Sequence, residues 1–328
     1  MSATDLIDDL DNALTVESAP GRTGDTSGAR ALYDRWENQH WAVAALDFDR
    51  DRAVWEQLGP HHRAELLGAL AEIEVGEISV TATLSSLVEH AGAEADQLYL
   101  ATQLADEARH VLFFQTYLDR VTGVNSASEL AAMRTRTDYG HYFDPELRRV
   151  TRAVHTSGGD PISWCTASVY YHLVTEGVLA VTGLRTNRRR AKALELHTLD
   201  EGLTNVTRDE SRHISFGVMA ARRAVAAGLA EPLVAAYLDA VRLAAIVLVA
   251  PHTRLHVPMI RAASNFRAMQ LRDAWSTARD RAVRQLSSIG LEQHGPDAAA
   301  AFDAGVESGL DTYAETWGRP HLVRLTDV

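Results

Sequence analysis

The sequence is short of cysteine, proline and positive charge. Cys165 is the only cysteine among 328 residues, which excludes an intrachain disulfide and any zinc site built on cysteine. Nine prolines set against abundant Ala, Leu, Glu and Arg leave long stretches free to be helical. Thirty-two basic and 44 acidic residues give a net charge of −12. That balance speaks against nucleic acid or an anionic membrane as partner, since both require a basic face. No membrane span is expected: the most apolar stretch, LAAIVLVAP at 243–251, is about half the length a bilayer requires, with Asp239 and Arg242 beside it. The first thirty residues lack the basic start and apolar stretch of a signal peptide. Residues 1–30 are expected to be a disordered acidic tail with room for a short helix near 3–14. A single domain is expected over 31–328, in a cytoplasmic protein.

What the sequence does contain is helical patterning, with few stretches alternating at a period of two. Long helices are predicted over about 60–90, 94–122, 161–184, 191–227 and 230–255. Shorter ones are predicted near 127–135, 144–155, 264–288 and 296–315. Breaks fall at Gly92, Gly123, SGGD (157–160), GLRTNRRR (183–190) and Gly228, with NRRR read as a solvated loop. Segment 32–58 is aromatic and irregular, and Asp47 or Asp49 is placed to cap the helix beyond it. The fold class is all-α.

Two pentapeptides repeat a spacing: DEARH at 106–110 and DESRH at 209–213. On a helix, Glu107 shares a face with His110, and Glu210 with His213, so each pair can ligate one metal ion. A four-helix carboxylate site needs two such pairs and one Glu from each of two further helices. Glu107 lies fifteen residues beyond the Gly92 turn, which puts Glu77 level with it in a helical hairpin. Glu74 would sit about 4.5 Å off that height and Glu72 about 7.5 Å off. Glu176 and Glu210 are centred on residue 193, close to the break at 183–190. Glu176 also stands alone in the apolar YYHLVTEGVLAVTG, where a carboxylate is costly unless paired or metal-bound.

The predicted ligands are therefore Glu77, Glu107, His110, Glu176, Glu210 and His213, holding two metal ions per chain. Oxygen donors with one nitrogen per ion suit iron or manganese better than zinc or copper. Asp106, Asp209, Arg109 and Arg212 neighbour the ligands and either support them or form surface ion pairs. His172, four residues before Glu176, faces the same way and is read as a supporting residue. His61, His62, His90, His141 and His155 are read as surface or loop residues without a carboxylate at helical spacing, and Trp164 and Cys165 as core.

The segments DFDRDRAVWEQL (47–58), GEISVT (76–81), DEARH, YYHLVTEGVLAVTG (170–183) and DESRHISFG (209–217) carry a resemblance. Over nearly all of 31–255 the sequence resembles the ribonucleotide reductase small-subunit-like ligand-binding oxidases of the ferritin-like di-metal carboxylate superfamily. The paired Glu-x-x-His motifs match the superfamily, and the GE-x-x-VT and Tyr-His surroundings match the narrower group. The resemblance implies a four-helix bundle core with additional helices, and a Mn/Fe centre in preference to Fe/Fe. It also implies dioxygen activation, a buried apolar pocket for a long-chain fatty acid or similar molecule, and an ether cross-link between Tyr171 and Val80.

Tyr171 stands about 140° from Glu176 on an ideal helix. Facing the site therefore requires a widened, π-type turn within 171–176. The pocket is expected to be lined partly by Leu173 and Val174. Phe114 occupies the position where radical-storing reductase subunits carry tyrosine, so tyrosyl-radical storage is not expected. The expected function is a dioxygen-activating di-metal oxidase, with dioxygen and the apolar acid as small-molecule partners and a homodimer as assembly. The rivals are a reductase small subunit with a metal-based oxidant, ferritin-like iron storage, and a lipid-binding protein. The tyrosine-free end RPHLVRLTDV counts against the first rival.

Overall fold

Helix α1 (Ser27–Asn38) begins inside the segment expected to be a tail. The computed structural model describes residues 27–125, 127–254 and 261–325, so the expectation for residues 1–26 lies outside the described residues. The irregular 32–58 segment resolves into the end of α1, a 3₁₀ turn at Val43–Ala45 and helix α2 (Phe48–Trp55). Asp47 stands at the start of α2 without a side-chain capping bond. The capping carboxylate is Asp51 instead: it accepts the backbone N–H groups of Thr198 and Leu199, both at 2.9 Å, and the Tyr117 hydroxyl at 3.0 Å. It thereby satisfies orphan donors at the head of a helix distant in sequence.

Helix α3 (Pro60–Glu89) starts on a proline, whose missing N–H costs nothing there, and pairs with α4 (Glu94–Tyr117) across the turn near Gly92. A π turn at Leu118–Thr122 ends on Gly123 in the left-handed region (φ 76°). Helices α5 (Ala127–Arg134) and α6 (Asp144–Thr156), the latter preceded by a π turn at Tyr139–Phe143, cross over to the second pair. Helix α7 (Pro161–Ser168) is capped by Asp160, which accepts from the Ile162 and Ser163 amides at 3.0 and 3.2 Å. It continues through a π-helical segment at Val169–Ala180 into α8 (Val181–Ala193). The widened turn required for Tyr171 is therefore present and extends beyond 171–176.

The break expected at 183–190 is helix. Within the basic GLRTNRRR, Arg189 is exposed as expected of a solvated stretch, but Arg188 is buried and pairs with Asp200 at 3.3 Å, and the arginines continue α8. The chain turns at 194–196, with Glu195 at φ 58°, and α9 (His197–Ala226) returns along the bundle. Asp96 at the head of α4 meets Arg223 near the end of α9 at 2.6 and 3.1 Å, fixing these two helices antiparallel. Helices α3, α4, α7–α8 and α9 form a four-helix core, and no strand occurs among the described residues.

The remaining helices, α10 (Ala230–Val249), α11 (Arg261–Ser288), α12 (Gly295–Trp317) and the short α13 (Leu322–Leu325), pack against the π segment and each other. A Cβ on Gly305 would stand 2.2 Å from the Arg242 carbonyl oxygen, and one on Gly309 2.9 Å from Val249. Only glycine lets α12 approach α10 this closely. With 20 residues and a mean hydropathy of 1.9 in its most apolar window, α10 is long and apolar enough to cross a membrane, contrary to the half-length estimate. Half of that window is buried against its neighbours, as in the core helix of a globular protein.

Candidate metal centre

Glu107 and His110 lie on one face of α4, and Glu210 and His213 on one face of α9, as the 3.6-residue period demands. Glu77 enters from α3 and Glu176 from the π segment, and all six side chains are buried. They converge as two groups: Glu77, Glu107, His110 and Glu210 in one, and Glu107, Glu176 and His213 in the other. Glu107 belongs to both. The hairpin count holds, since Glu77 Oε2 is 3.2 Å from His110 Nδ1. Glu72 instead accepts the Asp138 and Tyr139 amides at 2.7 and 3.1 Å.

Each histidine points its Nδ1 inward. His110 Nδ1 is 3.4 Å from Glu107 and 3.6 Å from Glu210. His213 Nδ1 is 3.3 Å from Glu107, 3.5 Å from Glu176 and 3.6 Å from Glu210. The other ring nitrogen faces a carboxylate on the opposite helix. His110 Nε2 is 3.2 Å from Asp209, and His213 Nε2 is 3.2 Å from Asp106. Donation from Nε2–H to these carboxylates fixes the tautomer that leaves the Nδ1 lone pair free.

Arg212 spans both aspartates at 2.7 and 2.8 Å, and Arg109 bonds both from the other side. The Trp36 and Trp41 indoles donate to Asp106 at 2.9 Å and to Asp209 at 2.7 Å. Asp106, Asp209 and Arg212 are buried, so the surface ion-pair reading of these residues does not hold.

His172 is buried four residues before Glu176, as expected, and reaches the ligand through a residue the sequence reading missed. Gln103 Oε1 is 3.2 Å from His172 Nε2, and its amide donates to Glu176 at 2.7 Å. Its position four residues before Glu107 was the available signal. Burial pushes His172 down to about 3, so it stays neutral. The Tyr171 hydroxyl donates to Glu107 Oε1 at 3.2 Å, and Val80 lies on α3 one turn from Glu77. Phe114 is buried in apolar packing.

The donor set fits metal ions. Glu107 Oε2, Glu176 Oε2, Glu210 Oε2 and His213 Nδ1 are fully buried without a hydrogen-bond partner, a costly state for polar atoms unless a cation binds them. Burial raises Glu77 to about 8, Glu176 well above its ordinary value, and Glu210 above its own. At Glu107 burial is outweighed by the two imidazoles beside it, which hold the carboxyl well below the usual range. Four carboxylates thus share a space that two imidazoles cannot neutralise. A second trio, Glu89, His90 and His155, lies at the surface with Glu89 and His155 exposed. His61 does have a carboxylate at helical spacing, Glu65 at 3.6 Å, which corrects the expectation for that residue.

A cavity of about 800 Å³ reaches this cluster. Glu77, Glu107, Glu176 and Glu210 line its buried end, while Ile73, Val80, Leu179, Val247, Leu271 and Trp275 contribute apolar wall. Leu173 and Val174 do not line it. The π register turns them into the apolar core and presents Thr175, Leu179 and Ala180 instead.

No family model matches the chain. Solved structures do match, and what they show is the fold, a ferritin-like helical bundle. The R2-like ligand-binding oxidase from Sulfolobus acidocaldarius aligns with a TM-score of 0.65 and 21% identity, over 80% of this chain and 90% of that one. A single-substitution R2-like ligand-binding oxidase with an aerobically reconstituted Mn/Fe cofactor aligns at 0.65 with 20% identity, over 81% and 93%. Another, with an anaerobically reconstituted Mn/Fe cofactor, aligns at 0.56 with 18% identity, over 85% and 92%. Within that class, the chain has the particular fold of the R2-like ligand-binding oxidases.

Proposed function

We propose that the protein is a dioxygen-activating oxidase whose two metal ions are held by Glu77, Glu107, His110, Glu176, Glu210 and His213, with Glu107 shared between them. The observation that carries this reading is the convergence of unpartnered, buried carboxylate oxygens and an imidazole Nδ1 on one space. The hard donors suit manganese or iron, and Mn/Fe is favoured over Fe/Fe because structures of similar fold carry an Mn/Fe cofactor. Such ions, when bound, supply electrons for the reduction of dioxygen.

The remaining roles belong to the chain. Asp106 and Asp209 keep both Nε2 atoms protonated and both Nδ1 atoms aimed inward. Gln103, backed by neutral His172, holds Glu176 through its amide. The apolar wall excludes water and accepts the hydrocarbon of a long-chain acid. Tyr171 and Val80 are the cross-linking pair: the ether bond replaces the Tyr171 O–H and a Val80 C–H, and dioxygen takes up the two protons and two electrons released. The hydrogen bond from Tyr171 to Glu107 gives the phenol proton an acceptor.

A reductase small subunit is the second reading, favoured by the Trp41–Asp209–His110 chain, a bonded route for an electron toward the cluster. The apolar cavity is unnecessary to that function and favours the oxidase. The test is anaerobic loading with both ions followed by air. Dioxygen uptake, a Tyr171–Val80 peptide lighter by two hydrogens and a solvent-extractable long-chain acid are expected. Metal-loaded protein that consumes no dioxygen contradicts the oxidase reading.

A further inference from the structure

Away from the cluster, the ends of two helices bring two imidazoles to one carboxylate. Glu89 closes α3, His90 follows it as the C-cap, and His155 lies in the last turn of α6. One ring nitrogen of each histidine and a Glu89 carboxylate oxygen all lie within 4.8 Å of one another. Glu89 Oε2 is 3.4 Å from His155 Nδ1 and 3.8 Å from His90 Nδ1. Donors about 2.1 Å from a tetrahedral ion stand roughly 3.4 Å apart. Only a small closure of the exposed Glu89 and His155 side chains separates the two arrangements. The rings meet at 84° with centroids 6.1 Å apart, so face-to-face stacking is not what brings them together. An ordinary ion pair accounts for one protonated imidazole beside Glu89, but a second would add a like charge.

The surroundings favour a cation. Both helices end here, and a helix C-terminus carries about half a negative charge. The Ser86 carbonyl oxygen, in the last turn of α3, is 3.1 Å from His90 Nδ1. It accepts the ring N–H when no ion is present, and becomes a further oxygen donor once the proton moves to Nε2. The partly buried His90 is also held in place. Gly159, at φ 78° in the turn after α6, packs so close that a Cβ there would stand 2.5 Å from His90 Cδ2. The Trp164 indole of α7 donates to the Leu87 carbonyl at 3.1 Å and fixes the same turn of α3.

We propose that Glu89, His90 and His155 form a peripheral site for a divalent cation of the zinc class. Two imidazoles and one carboxylate are a softer set than the four carboxylates and two imidazoles of the cluster, and they suit zinc better than manganese. The Ser86 carbonyl or a water completes four-coordination. The site shares no residue with the cluster. His90 is thirteen residues beyond Glu77, about 20 Å along α3, so the ion is a third one. It ties the end of α3, the helix that carries Glu77, to the end of α6. The inference stands apart from the oxidase reading, because neither needs the other's ligands.

The test is equilibrium dialysis of the full chain, already loaded with manganese and iron, against zinc, followed by elemental analysis for all three metals. One zinc ion per chain is expected beyond the manganese and iron, whose content should not change. His155→Ala and Glu89→Ala should each weaken zinc binding by about 100-fold or more, since even a lost supporting partner costs roughly 10- to 100-fold. Both replaced side chains are exposed, and unchanged manganese and iron content in the variants certifies an intact fold. Zinc that enters only in exchange for manganese or iron overturns the inference, because it then occupies the cluster. Zinc bound equally by both variants overturns it as well, as does the absence of any additional zinc. Each of these outcomes leaves the oxidase reading to its own test, since the cluster metals are counted separately in the same samples.

Discussion

The interior of the four-helix core and the α10–α12 contact solve opposite problems with the same kind of element. In the core, α3, α4, α9 and the π segment turn four carboxylates and two imidazoles toward one another. In the contact, α12 turns Gly305 and Gly309 toward α10, and backbone nearly meets backbone. The first arrangement costs stability, because buried charges and unpartnered oxygens are expensive without a cation. The second supplies stability through close packing and offers no chemistry. The difference teaches where function sits: in the region whose local energetics are poor unless something binds.

The comparison breaks first at Gly305. Gly305→Val should cost about 3 kcal/mol or more in denaturant unfolding, because the obstacle is a backbone carbonyl that cannot rotate away. Whatever folded protein remains should keep its metal content. Unchanged stability would show that the helices are free to separate.

A pH titration of stability sharpens the same contrast. His321 is buried between Trp275 and Tyr313, with ring centroids 5.6 and 4.7 Å away, and burial lowers it from 6.5 to about 4. Its folded value lies below the unfolded one, so its contribution is complete above about pH 6.5 and is lost as the pH falls toward 4. The loss should reach about 3 kcal/mol by linkage. His321→Gln should flatten that part of the profile, and an equally steep profile in the variant would rule the residue out.

Behind the cluster, Asp209→Asn should weaken metal affinity by roughly 10- to 100-fold. Equal metal affinity would reduce Asp209 to a structural ion pair. The smallest effect is expected at Asp160, whose replacement by Ala removes a helix cap and should cost about 1 kcal/mol with no change at the metals.

Much of the site was legible because helical geometry is regular. Glu77 could be set level with Glu107 by counting from Gly92, and the structure brings Glu77 to His110. Tyr171 could be seen to need a widened turn, and the π segment supplies one. Where the chain departed from the reading, tertiary partners decided. GLRTNRRR has the composition of a loop, yet Asp200 holds Arg188 within a helix. The actual turn at 194–196 lies nearer residue 193, the point equidistant from Glu176 and Glu210. Proximity to Glu176 points to Leu173 and Val174 as pocket lining, but a π register rotates successive side chains less than an α-helix does. Trp36, Trp41 and Gln103 carry no motif. Their roles come from hydrogen bonds to residues on other elements.

The central claim is that the buried cluster is a two-metal site with Glu107 common to both ions. Elemental analysis of protein loaded with manganese and iron, beside Glu107→Ala and His213→Ala variants loaded identically, tests it most directly. Two ions per chain are predicted for the unaltered protein, with at least one lost in each variant and the larger loss at Glu107. Full metal content in both variants would contradict the account.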